Sequence, residues 1–298
     1  MYFRICFKKI ALTILITLTT FIHTSFSETR TERLSRFFSE FEILPEYHFE
    51  TDLRWFFNHQ NDFYREKFLV ESHTRFDAMF VSWREKVFLG GYYINNVGMG
   101  RQYEDIVFDP RDVGYALSPF IETRLDDFTL RFGLDHRCHH QIDRKTRPSI
   151  YWNQLFISVG SKQNPMTFYG YNHHNEFSSH LDRLSWEVYL GYYVTDLGEM
   201  VRPAILSGGH NLKTGSYVAA RYAFHSNEDW LFTAGHKTHL DTDHDGKYFW
   251  SGRFDIEASV HKFRNSIAFY LDYHYEFPRQ RPFYSKDRLI TFGTRFFF

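Results

Sequence analysis

The stretch YFWSGRFDIEASV, residues 248–260, decides the fold. Tyr248, Trp250, Gly252, Phe254, Ile256, Ala258 and Val260 hold the even positions, while Ser251, Arg253, Asp255, Glu257 and Ser259 hold odd ones. Successive side chains of a β-strand point to opposite faces, so this alternation predicts a strand with one apolar and one charged face. The pattern extends outward along the chain. Ile267, Phe269, Leu271, Tyr273, Tyr275 and Phe277 oppose Ser266, Asp272, His274 and Glu276. Leu184, Trp186, Val188, Leu190, Tyr192 and Val194 oppose Ser185, Glu187 and Thr195. Phe128, Leu130, Phe132 and Leu134 oppose Thr129, Arg131 and Asp135. These strands exceed the roughly 5–6 residues usual in globular proteins and match the about 9–11 that a membrane-crossing strand needs.

A secreted β-sandwich also has one apolar face per strand, turned inward. Long strands, a heavily aromatic apolar face and a polar face with both signs of charge favour a closed antiparallel transmembrane barrel, an all-β fold. Phe, Tyr and Trp make up 20% of a chain whose net charge is only −1. That balance argues against nucleic acid as a partner. The chain closes on Leu289-Ile290-Thr291-Phe292-Gly293-Thr294-Arg295-Phe296-Phe297-Phe298. This segment resembles the terminal strand of bacterial outer-membrane barrels, which commonly ends on an aromatic residue. The resemblance implies recognition by the barrel assembly machinery. Outer-membrane lipid and lipopolysaccharide are the expected surroundings of such a barrel, and a homodimer is an open alternative.

Counted back from Phe298, the expected strands are 288–298, 264–277, 247–261, 229–238, 215–225, 200–210, 184–194, 165–172, 149–160, 127–138, 114–124, 86–96, 67–82 and 52–58. The segments 52–58, 165–172 and 200–210 are weak, so 12 to 14 strands fit. Short connections, among them 161–164 and 195–199, would alternate with longer polar ones such as 173–183 and 278–287. Residues 32–42 place Leu34, Phe37, Phe38 and Phe41 at helical spacing, which predicts a short helix within an N-terminal periplasmic or plug segment, residues 28–50. The barrel would occupy residues 51–298.

Residues 1–27 have the layout of a secretory signal peptide. Arg4, Lys8 and Lys9 precede an uncharged run, Ile10 to Ile22, and then Ser25-Phe26-Ser27. The run is short against the ~20 residues of a membrane-spanning helix; a retained anchor is the alternative. Cleavage there would remove Cys6 and leave Cys138 without a partner in the chain.

Two stretches carry candidate chemistry. In Asp135-His136-Arg137-Cys138 and Tyr151-Trp152-Asn153, parity assigns His136, Cys138 and Asn153 to the apolar, lipid-facing side. If 138 pairs with 151, then 136 pairs with 153, with Cβ atoms about 4.5–5.5 Å apart. Such a group could act as nucleophile, base and orienter; the alternative is an inert thiol and a histidine at the membrane–water boundary. The arrangement resembles outer-membrane phospholipase A, a family with His-x-Ser on one strand and Trp-Asn on the next. The resemblance implies a catalytic His136, Cys138 and Asn153. Cys138 stands where the family has serine, and the Asn-Gly that follows that serine is absent. The second stretch, Asp241-x-Asp243-x-Asp245-Gly246, matches the start of a calcium loop, but Gly252 replaces the closing glutamate. Weak calcium binding and a solvated hairpin both fit it. His136, His139, His140, His173 and His174 would form a zinc or haem site only if their loops converged.

Three functions therefore remain open. The chain is a non-enzymatic pore, using lumen groups such as Arg131, Asp135, Arg253, Asp255, Glu257 and Asp272; or a surface protein; or, alternatively, an outer-leaflet acyl hydrolase.

Overall fold

A computed structural model describes residues 38–57, 69–103, 106–141, 150–161, 183–194, 212–226, 229–262, 265–276 and 289–297. They form twelve antiparallel strands: β1 (Phe41–Phe57), β2 (Val70–Trp83), β3 (Val87–Tyr103), β4 (Ile106–Arg124), β5 (Phe128–Gln141), β6 (Ile150–Ser161), β7 (Leu184–Tyr193), β8 (Leu212–Ser226), β9 (Trp230–Asp243), β10 (Tyr248–Lys262), β11 (Asn265–Glu276) and β12 (Leu289–Phe297). Each pairs with its neighbours in sequence, and β1 closes the ring on β12 through Glu50↔Phe297 to Phe57↔Ile290. Closure leaves no free sheet edge, which is what a strand-built wall in lipid requires.

Exposure along each strand follows the period of two. Phe254 and Ile256 of β10 are 53% and 57% exposed, whereas Asp255 and Glu257 between them are 6% and 3% exposed. Leu271 and Asp272 of β11 show the same contrast, at 44% and 1%. Apolar side chains therefore cover the outside, and charges fill the inside. Burial inside is tolerable because the charges are paired. Arg295 reaches Glu50 at 3.0 Å and Glu257 at 2.8 Å, Arg54 reaches Asp52 at 2.9 Å, and Arg75 reaches Asp77 at 2.6 Å. Glu122 is held between Arg124 and Arg131, and Arg221 pairs with Asp255. Aromatic layers separate these pairs; Phe156, Tyr189 and Tyr217 stack with centroids 4.9 and 4.6 Å apart.

Twelve strands suffice to close the wall, with β6 paired directly to β7 and β7 to β8. The expected strands 165–172 and 200–210 lie outside the described residues. With those pairings, β7 runs opposite to the direction that a 14-strand count gives it. β1 begins at Phe41, eleven residues before the expected 52–58. Of the helix expected over 32–42, Leu34 and Phe37 lie outside the described residues, and Phe41 and Glu42 belong to β1. The signal-peptide segment also lies outside them.

Candidate functional site on the outer wall

β5 and β6 pair in one unbroken register from Phe128↔Ser161 to His139↔Ile150. Within it His136 faces Asn153 and Cys138 faces Tyr151. Leu117 and Tyr115 of β4, opposite His136 and Cys138, are 56% and 37% exposed, which fixes this face as the outer one. Asn153 Oδ1 accepts a 2.8 Å hydrogen bond from His136 Nδ1. The carbonyl oxygen can only accept, so Nδ1 is the donor, and a neutral imidazole in this tautomer has its lone pair on Nε2. Nε2 has no hydrogen-bond partner among the described residues. Cys138 is a free, half-buried thiol two residues along the same face. Farther along, His140 packs edge-on against Tyr115 with centroids 6.1 Å apart. The face thus presents a thiol, an oriented imidazole with a vacant lone pair, and the amide that orients it.

Among the described histidines of this segment, His140 shares the outer face and His139 does not. His139 points through the wall into the lumen, where Nε2 lies 2.7 Å from Asp112. His136 and His140 are outside. A shared zinc or haem site within this segment would have to cross the sheet; His173 and His174 lie outside the described residues.

The Asp241, Asp243 and Asp245 carboxylates are spread across a hairpin. Asp241 and Asp243 are buried on the lumen side, 5% and 2% exposed. Asp243 Oδ1 accepts the Lys247 backbone N–H at 2.8 Å, so it caps the turn, and Gly246 supplies the φ of 78° that the turn needs. Asp245 is exposed at the tip. Among the described residues, the group whose His and carboxylate ligand atoms come close enough to share an ion is Glu50, Asp52 and His73. Both of its carboxylates are already engaged by Arg295 and Arg54. Arg131, Asp135, Arg253, Asp255, Glu257 and Asp272, expected in the lumen, all face it.

A second polar group on the outer wall was missed in the sequence. Thr238 Oγ1 lies 2.8 Å from Tyr275 Oη and 3.2 Å from His236 Nε2, and His236 Nε2 lies 3.2 Å from Tyr275 Oη. His236 also stacks on Phe254 with centroids 4.2 Å apart. Gly252 makes this possible, because a Cβ there would collide with the Tyr275 ring. Parity marks His236 and Tyr275 as outward in the sequence. Their contact across β10 is visible only in the register.

A closed antiparallel barrel with an apolar exterior and an ion-paired interior defines an outer-membrane β-barrel protein. Comparison with solved structures agrees on the fold. Outer membrane phospholipase A from Escherichia coli, as an active-site mutant, superposes with a TM-score of 0.50 at 12% identity, covering 93% of this chain and 94% of that one. Outer membrane phospholipase from Salmonella typhi, a dimer with bound calcium, gives 0.49 at 11% identity over 84% and 89% of the two chains. The KdgM porin gives 0.44 at 7% identity over 84% and 98%. No family model matches the chain, and no curated protein does.

Proposed function

We propose that this outer-membrane barrel carries an acyl-transfer site on its lipid-facing wall, with Cys138 as nucleophile, His136 as base and Asn153 as orienter. The observation that supports it is the 2.8 Å His136–Asn153 hydrogen bond on an outer face. A neutral imidazole held by Nδ1 directs its Nε2 lone pair away from the orienting amide, as a Cys-His-Asn triad needs. His136 Nε2 takes the Cys138 thiol proton as sulfur bonds to an ester carbonyl carbon. Collapse of the tetrahedral intermediate expels the alcohol, which regains that proton from Nε2, and leaves a thioester on Cys138. Water hydrolyses the thioester in the mirror-image step. The oxyanion of both steps needs aimed donors or a cation. Calcium, present in the Salmonella typhi phospholipase structure, is the cation to supply, and a second copy of the chain is the partner to look for.

A thiolate is a better acceptor of acyl groups than apolar surroundings allow it to be, so the expected behaviour is slow turnover with a detectable thioester. Incubating the folded barrel with a p-nitrophenyl fatty ester should add one acyl mass to Cys138, and His136→Ala should remove that adduct. Folded wild-type barrel with no adduct overturns the reading and leaves a pore or a surface protein. The ion-paired lumen supports the pore as the second reading only for solutes small enough to pass between the arginines.

A further inference from the structure

Lys237 of β9 and Arg253 of β10 stand directly opposite each other in the register, and both line a lumen cavity of about 270 Å³. Like charges directly opposite on adjacent strands oppose pairing. Other lumen arginines offset such repulsion with a carboxylate in close contact. These two do not. Lys237 Nζ has no carboxylate within 4.0 Å among the described residues. It lies instead over the Tyr217 ring, 3.6 Å from the centroid. The carboxylates nearest to Arg253, Asp255 and Asp272, are each 3.7 Å away, and its Nε is buried without a hydrogen-bond partner. Asp255 is committed to Arg221. The carboxylate on the cavity wall beside Tyr217, Glu187, accepts the Tyr217 hydroxyl at 2.8 Å. The strand wall therefore brings two under-compensated cations together in a cavity, with donors free.

We propose that the lumen binds a small monocarboxylate between Lys237 and Arg253. The guanidinium offers a planar pair of donors that matches a carboxylate, and the ammonium adds a point charge. His239 and Ser251, the next opposed pair facing the lumen, line the same cavity and bound the seat on one side. Glu187 and Asp135 also line it. They repel a second negative charge, which selects a monoanion over phosphate. The site is on the opposite face of the wall from His136 and does not depend on acyl chemistry.

The test heats the folded barrel in zwitterionic detergent at constant pH and ionic strength while acetate replaces chloride. The readout is the midpoint for loss of the compact band in gel electrophoresis. Acetate should raise the midpoint saturably, and neutral acetamide should not. Lys237→Gln should raise the half-saturating concentration by about tenfold or more. If that variant does not fold, Arg253→Gln makes the same test. A rise that never saturates in the wild-type protein overturns the site, as does unchanged half-saturation in a folded variant. Inorganic phosphate saturating at the same or lower concentration overturns the monocarboxylate assignment.

Discussion

Two of the polar groups on the described exterior contain a histidine hydrogen-bonded across strands, and they are built differently. On β9, β10 and β11, His236, Thr238 and Tyr275 hydrogen-bond to one another in a triangle, with Phe254 and Trp250 packed on their rings. Each member spends a polar atom on another member, while His236 keeps its Nδ1 outside the triangle. On β5 and β6, His136 spends Nδ1 on Asn153 and keeps Nε2 uncommitted, with the free Cys138 thiol two residues along the same face and not hydrogen-bonded to it. A polar group facing lipid is costly unless satisfied. The triangle meets most of that cost internally. The His136–Asn153 pair meets half of it. Polar residues on an outer wall are therefore not by themselves a site; a free thiol on the same face as an oriented imidazole is the distinguishing feature.

The largest expected effect separates the two groups by activity. Cys138→Ser places an alkoxide precursor beside the same imidazole and should raise calcium-supported release of fatty acid from mixed micelles. Adding His136→Ala should lower that release by about 10²–10⁴-fold, the usual contribution of a positioned base, while His236→Ala leaves it unchanged. Equal loss from both histidine variants would erase the distinction. Next comes the apolar wall around them. Leu271→Arg should cost about 2–4 kcal/mol of folding stability in lipid vesicles if it lies near the midplane, whereas Asp272→Asn, on the inner face, should spare the outer wall and leave vesicle partitioning intact. Equal partitioning loss would reverse the assigned orientation.

Gly252→Val tests the triangle itself. Its side chain would occupy the place of the Tyr275 ring, and overpacking of this kind costs about 1–3 kcal/mol. Urea unfolding should show that loss with hydrolysis by the Cys138→Ser protein untouched. Tyr275→Phe is the mildest change. It removes one hydroxyl from the triangle and should cost about 0.5–1.5 kcal/mol. A loss of acyl transfer in either variant would join the two groups into one functional surface.

Much of this was legible in the chain. The alternation from Tyr248 to Val260 assigns faces without reference to any partner strand, because a strand's side chains alternate whatever it pairs with. That parity placed Phe254 outside, Asp255 inside, and His136, Cys138 and Asn153 on one outer face. The 136↔153 pairing was conditional on 138 meeting 151, and the register supplied that condition. The segments 165–172 and 200–210 lie outside the described residues, and a short alternating run reads alike in a wall strand and in a connection. Strand count, and with it the direction of β7, is a property of ring closure. Ring closure is set by β1 meeting β12 across the whole length of the chain, which no local window contains.

Composition and period thus determined the class of protein and the sidedness of each strand, while the candidate nucleophile, base and orienter came from the resemblance to outer-membrane phospholipase A. Only the tertiary structure decided that His139 turns inward to Asp112, that Asp243 caps a hairpin, that Tyr275 reaches Thr238 over Gly252, and that Lys237 meets Arg253 without a close carboxylate. Each of these depends on which residues of different strands stand opposite one another. Register between strands is fixed by the closed ring of backbone hydrogen bonds, while side-chain alternation within a strand is fixed by the backbone of that strand alone.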